Sequence, residues 1–152
     1  MDFDTTVRLA IMNAFLAGGT PTVASIAREL HANEGDVGAA FDRLAAGRAI
    51  VLDAGTRTIR MAAPLAGGQT PFTVALPDRE VYANCIWDSL GVAAMRAGNG
   101  QLPAATITTR CPDCQETLRV TVGDDGVTVD PPSAIVHFAV PAARWWADIV
   151  FT

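Results

Sequence analysis

The eight residues "PLAGGQTP", positions 64–71, constrain the fold more than any other stretch, because the hydrophobic period changes across them. Two prolines and two glycines in eight positions interrupt helix and strand alike, and such a cluster marks a boundary between units. Before it, apolar residues recur at helical spacing. Residues 5–16, "TTVRLAIMNAFL", put Val7, Ala10, Ile11, Ala14 and Phe15 on one stripe, the signature of an amphipathic helix. After the breaker "AGGTP", "TVASIAREL" predicts a short helix, "HANEG" a turn, and "DVGAAFDRLAAGRAI" a further helix with Val37, Ala40, Phe41 and Leu44 inward. "AIVLDAGTRTIRMAA" reads as two short strands around the turn "DAGT". Residues 1–63 therefore read as a winged-helix-like three-helix domain, and 64–71 as a linker.

Beyond the boundary the period is that of strands. "FTVAL", "ATITT", "TLRVTV", "GVTVD" and "AIVHFAV" are short runs of strand-forming residues split by turn signals such as "GDDG" and "DPPS". One helical segment, "REVYANCIWDSLGVAAMRAG", is read as helix from about Val81, and the final "WWADIVFT" as a last strand. Residues 72–152 are expected to form an α+β domain, a small mixed sheet against one prominent helix.

Charge and cysteine usage narrow the function. A net charge of -5 leaves little of the phosphate attraction on which DNA binding rests. The second helix of the helix-turn-helix pattern offers only Arg43 and Arg48 among Glu34, Asp36 and Asp42, whereas a recognition helix presents several groove-facing Arg, Lys, Asn or Gln. DNA is thus not an expected partner, and the helical unit is expected to serve as a packing or lid domain. No apolar run reaches the length of a membrane span, and the start "MDFDTTVRLA" lacks the basic-then-apolar order of a signal peptide. Three cysteines are too few and odd in number for a disulfide framework. Free thiols in a reducing, cytoplasmic setting are the expectation.

Those thiols carry the chemistry. Cys85 and Asp88 are three residues apart, a spacing that puts both on one helix face. Two readings stand: a small buried hydrophobe beside a solvated carboxylate, or a nucleophile beside a proton donor. A carboxylate raises a neighbouring thiol's pKa, so the pair is ill suited to acyl transfer, for which a histidine base is expected. The histidines, His31 and His137, fall in the helix-turn-helix turn and in an expected strand. A thiolate holding a soft metal removes the conflict, because the metal keeps the sulfur deprotonated and leaves the carboxyl free to carry a proton. "CPDC", Cys111 to Cys114, is half of a zinc site with no matching half in view. It reads either as a structural turn or as a half-site completed by Cys85 or another subunit. Trp145 and Trp146 read as core or interface packing, with Trp87 a candidate wall beside the Cys/Asp pair.

With these residues in place, the chain resembles the alkylmercury (organomercurial) lyase family. The match rests on a helical front, a Gly/Pro-rich link, a short strand, and a Tyr-Ala-x-Cys-x-x-Asp-[Ser/Thr]-Leu motif. Here the motif is Tyr82, Ala83, Asn84, Cys85, Ile86, Trp87, Asp88, Ser89 and Leu90. The similarity extends through "TRCPDCQETLRVTV" and "AIVHFAVP". The resemblance implies protonolysis of a carbon–mercury bond, with the position of Cys85 binding mercury as a thiolate and that of Asp88 delivering a proton to carbon. It implies no organic cofactor, an organomercurial or other soft-metal small molecule as ligand, low-molecular-weight thiols for release, and a mercuric reductase as a downstream partner. The family's second catalytic cysteine follows a segment like "WWADIVFT", and no cysteine follows it within these 152 residues. Either a longer chain supplies it, or Cys111 or Cys114 substitutes. Two rival expectations remain: a non-catalytic lyase-fold protein that binds soft metals or thiol-reactive ligands, and a winged-helix regulator whose second unit senses a ligand.

Overall fold

The chain opens with three capped helices. In the computed structural model, which describes residues 1–97, 103–138 and 140–149, α1 spans Phe3–Leu16, α2 Val23–Leu30 and α3 Glu34–Ala46. Each starts where a side chain satisfies an orphan backbone donor. Asp2 accepts from Thr5 N–H at 3.0 Å, Thr22 and Ser25 form a reciprocal capping box, and Asn33 accepts from Gly35 N–H at 2.7 Å. The inward stripes are those expected, with Val7, Ile11, Val37, Ala40 and Phe41 fully or almost fully buried; Ala14 is only half-buried. Burying a side chain such as Ile11 or Phe41 contributes about 1.5–3 kcal/mol, far more than the helix propensity of eight to fourteen residues.

A small sheet follows in the order β1-β2-β3, with β1 Val51–Leu52, β2 Ile59–Ala62 and β3 Leu65–Ala66. The third strand lies inside the 64–71 segment. Leu65 is buried, and Gly67 passes so close to β2 that a Cβ there would meet the Ile59 carbonyl oxygen at 1.9 Å. The glycine is needed for that approach.

The second sheet has the order β5-β4-β6-β7-β8, formed by β4 Thr73–Leu76, β5 Arg79–Tyr82, β6 Ala104–Arg110, β7 Thr117–Gly123 and β8 Gly126–Asp130. Helix α4, Ile86–Arg96, packs on β4, β6 and β7. The α+β class stands, while every pairing of the sheet is antiparallel rather than mixed. Short connections such as Pro77-Asp78 between β4 and β5 permit only antiparallel neighbours. Buried side chains from α1 through β7 join in one hydrophobic core.

Three local expectations are corrected. The helix read from Val81 begins at Ile86, because residues 79–82 pair with β4 and Val81 faces Val74 across the ladder. Val81 is buried there as a strand residue. "AIVHFAV" forms no strand over residues 134–138; β8 is already the sheet edge, the chain leaves it through Pro131 and Pro132, and a strand without a ladder partner has nothing to hold it. Over its described residues the terminal segment shows no strand and carries instead a 3₁₀ helix, Ala142–Ala147, steadied by Trp145 Nε1–H donating to the Val140 carbonyl at 2.9 Å. Ala139 and residues 98–102 and 150–152, parts of these readings, lie outside the described residues.

Candidate active site

Cys85 is the N-cap of α4, not an interior helix residue. Its backbone is extended, and its Sγ accepts the Asp88 N–H at 3.5 Å. The convergence expected from helical spacing is real, but capping brings it about: N-cap and third helical position meet over the first turn. Both flanks fix the cysteine. Upstream, the Ala83 N–H donates to Phe72 at 3.0 Å and its carbonyl accepts from Thr70 Oγ1 at 2.6 Å. Downstream, the Cys85 carbonyl accepts from Ser89 N–H at 3.0 Å and from Ser89 Oγ at 2.9 Å, and Ser89 is fully buried.

The electrostatics favour a resting thiol and a readily protonated acid. Burial pushes the Cys85 thiol above its ordinary value, the Asp88 N–H pulls it down in part, and the Asp88 carboxylate pushes it up again. Burial likewise raises Asp88, offset in part by Asn84, whose Nδ2–H donates to Asp88 Oδ2 at 2.8 Å. The second carboxamide atom, Asn84 Oδ1, is buried with no partner among the described residues. An amide can donate to a carboxylate through nitrogen or accept from a carboxylic acid through oxygen, so Asn84 suits either protonation state of its neighbour.

A cavity of about 450 Å³ opens over the pair. Asn84, Cys85, Trp87 and Asp88 form one side, Arg48, Ile50 and Met61 from the helical half and the first sheet another, and Trp145 and Trp146 a third. Trp87 meets Phe138 edge to face at 6.0 Å, and Phe138 meets Trp145 at 5.5 Å, so the expected aromatic wall is present. Arg48, at the end of α3 with φ 61°, holds its guanidinium 5.6 Å over the Trp146 ring. A small apolar chamber with one thiol, one carboxyl and one amide can hold a soft electrophile on sulfur and protonate a group attached to it.

The remaining sequence candidates lie elsewhere. Cys111 and Cys114 occupy the β6–β7 connection and do not line this cavity, and neither do His31 or His137. Among the described residues no three His, Cys, Asp or Glu side chains gather as a metal-binding group. Sequence reasoning passed over Asn84 and Arg48. Asn84 carried a usable signal, four residues before Asp88 and inside the motif. Arg48 carried none, since it arrives from the other half of the chain.

Fold and site together define a helix-plus-antiparallel-sheet protein with a thiol and a carboxyl facing one apolar chamber. The chain belongs to the alkylmercury lyase family, whose model (MerB) matches residues 65–152. A solved structure, described as the crystal structure of the mercury-bound form of MerB2, shares the fold with a TM-score of 0.63. It is 21% identical over 86% of this chain and 68% of that chain. No curated protein matches the chain. No described helix is long and apolar enough to cross a membrane.

Proposed function

We propose that this protein cleaves carbon–mercury bonds by protonolysis, with Cys85 as the mercury ligand and Asp88 as the proton donor. The observation that carries the reading is the seating of both groups on the first turn of α4, half-buried and facing one cavity. An organomercurial R–Hg–X enters as substrate. The Cys85 S–H bond breaks as its sulfur bonds mercury, X leaves as an anion, and the thiol proton passes to the Asp88 carboxylate. Burial raises the Asp88 pKa above its ordinary value, which favours its holding that proton.

A second thiolate then coordinates mercury, which weakens the bond to carbon. The Asp88 O–H bond breaks, the carbon–mercury electron pair takes the proton, and R–H departs. Asp88 is left as a carboxylate held by the Asn84 amide, and mercury as Cys85–S–Hg–SR″. A further external thiol displaces Cys85, which recovers its proton, and mercury leaves as a dithiolate. Cys111 and Cys114 do not line the chamber, and in this reading a low-molecular-weight thiol brings the second sulfur. The dithiolate product is a form that a mercuric reductase would accept. No organic cofactor takes part. The hydrocarbon group lies against Trp87, Phe138 and Trp145, where apolar surface is already gathered.

The test is headspace measurement of benzene released from phenylmercury with excess thiol. Release at a rate set by protein concentration, abolished in Cys85→Ser, is expected. Tight phenylmercury binding with no benzene above the thiol-only background would instead identify a soft-metal binder built on a lyase fold.

A further inference from the structure

The cysteine pair that the proposed reaction does not use has a geometry of its own. Strands β6 and β7 end their ladder at Arg110 and Thr117, leaving residues 111–116 as the connection. That connection is tied to itself three times: Cys111 N–H donates to Glu116 O at 2.9 Å, Gln115 N–H to Cys111 O at 2.9 Å, and Gln115 Nε2–H to Pro112 O at 2.9 Å. Gln115 sits in the left-handed region with φ 62°, which turns the chain back toward Cys111. On this closed turn both cysteines are free thiols, Cys111 half-buried and Cys114 exposed, and the Cys114 and Asp113 N–H groups and the Cys114 thiol lower the Cys111 pKa from the ordinary thiol value. A structural turn needs neither thiol. Two thiols separated by two residues on one closed turn can approach a single soft cation from the same side.

We infer that Cys111 and Cys114 form a second, separate thiophilic site: a two-sulfur chelate for a soft cation that is satisfied by two thiolates, with Hg(II) as its probe. The donor set decides the class of cation. Zinc in a structural site takes four ligands, and among the described residues no third His, Cys, Asp or Glu side chain gathers with these two thiols as a metal-binding group, Asp113 and Glu116 of the same turn included. Two thiolates suffice for a soft cation of low coordination number. Binding is a balanced exchange without redox change: Hg(SR)₂ and the two protein thiols give the Cys111–S–Hg–S–Cys114 chelate and two free RSH, each protein proton leaving with one displaced thiolate.

The register also places this site. Thr73 pairs with Tyr82 on one side and Thr108 on the other, so the ends of β5 and β6 lie at the same end of the sheet. The paired strand residues Tyr82 and Thr108 lie two strand spacings, about 10 Å, apart across the sheet, and Cys85 follows the first strand as the Cys111–Cys114 turn follows the second. The chelate nonetheless stands independently of the role assigned to Cys85.

The experiment removes Cys85 so that no other thiol competes. Cys85→Ser protein, reduced and anaerobic, is loaded with Hg(II) in the presence of glutathione at about 1 mM, comparable to the effective concentration that a short link gives a second thiol. It is then desalted and assayed for mercury and for mass in solution. The expected result is one mercury per monomeric chain, with affinity lowered by about 10²-fold or more in Cys85→Ser/Cys114→Ser, the gain that a linked second contact supplies. Alkylation mapping of the unmodified protein gives a reading that needs no variant: Hg(II) should protect Cys111 and Cys114 together from iodoacetamide. Equal mercury retention by the Cys85→Ser protein and by Cys85→Ser/Cys111→Ser/Cys114→Ser, unprotected Cys111 and Cys114, or one mercury shared between two chains would each overturn the inference.

Discussion

Replacing Asp88 by Asn separates mercury capture from hydrocarbon release. The substitution keeps the size of the side chain and the backbone N–H that Cys85 Sγ accepts at 3.5 Å, so the cap of α4 persists. Among the described residues it removes the only acidic proton that the cavity lining offers to a group bound on that sulfur, since those lining residues include no other carboxyl and no histidine. A positioned general acid contributes about 10²–10⁴-fold, or about 3–5 kcal/mol of barrier at 1.36 kcal/mol per tenfold. Benzene release from pre-bound phenylmercury should fall by that factor in single turnover, while mercury binding stays within a few-fold of the parent. The pH profile adds a second reading. Burial raises Asp88 above the ordinary carboxylate range, so the protonated donor is lost as pH rises through that raised value. Release by the parent should decline across the same interval, and the Asp88→Asn profile should be flat. Folding stability carries the same preference: a carboxylate whose folded pKa is raised opposes folding once ionised, so stability falls as pH rises from the ordinary Asp value through the raised one. Asp88→Asn should accordingly melt no lower than the parent at neutral pH. Benzene release at the parent rate, with the parent pH profile, would refute the assignment of Asp88.

Other outcomes follow from the same geometry. With Cys111 and Cys114 also replaced by Ser so that no second thiol site competes, Cys85→Ser should lose phenylmercury binding, and it should keep its thermal midpoint, because Ser is a preferred N-cap and its hydroxyl can take the Asp88 N–H; a large drop in midpoint would mean that the cysteine is chiefly structural. Asn84→Leu removes the hydrogen bond that lowers Asp88, so the falling limb of the release profile should move to higher pH, and an unmoved limb would show that the amide does not act on the acid. Trp87→Ala should raise the KM for phenylmercury about 3–10-fold while barely altering that for methylmercury, from aromatic contacts of about 0.5–1.5 kcal/mol. Electrophoretic shift with duplex DNA should show no complex tighter than about 10⁻⁷ M. Arg43 is paired with Asp4 at 2.6 Å and Arg57 with Asp42 at 2.7 Å, which leaves little free positive charge along α3.

The sequence by itself determined whatever depends on neighbours along the chain. Helical stripes at Val7, Ile11, Val37 and Phe41 and alternation in "ATITT" and "TLRVTV" report a local period, and that period survives into the fold. The Cys85 and Asp88 pairing was legible for the same reason, being a three-residue relation that both an interior helix turn and a capped one satisfy. Only the tertiary structure decided which of those it was. The pairing of Val81 with Val74 takes residues 79–82 into the sheet and delays α4 to Ile86, so Cys85 becomes a cap with its sulfur on a backbone N–H. Tertiary placement also brought Arg48 and Trp145 to the cavity from positions well before and well after the Cys85 motif, and left Cys111 and Cys114 outside its lining. It denied residues 134–138 of "AIVHFAV" a ladder partner despite a strand-like composition. Periodicity is set by the geometry of one element, whereas a cavity and a ladder are set by what other elements place against it, and no local pattern carries that information.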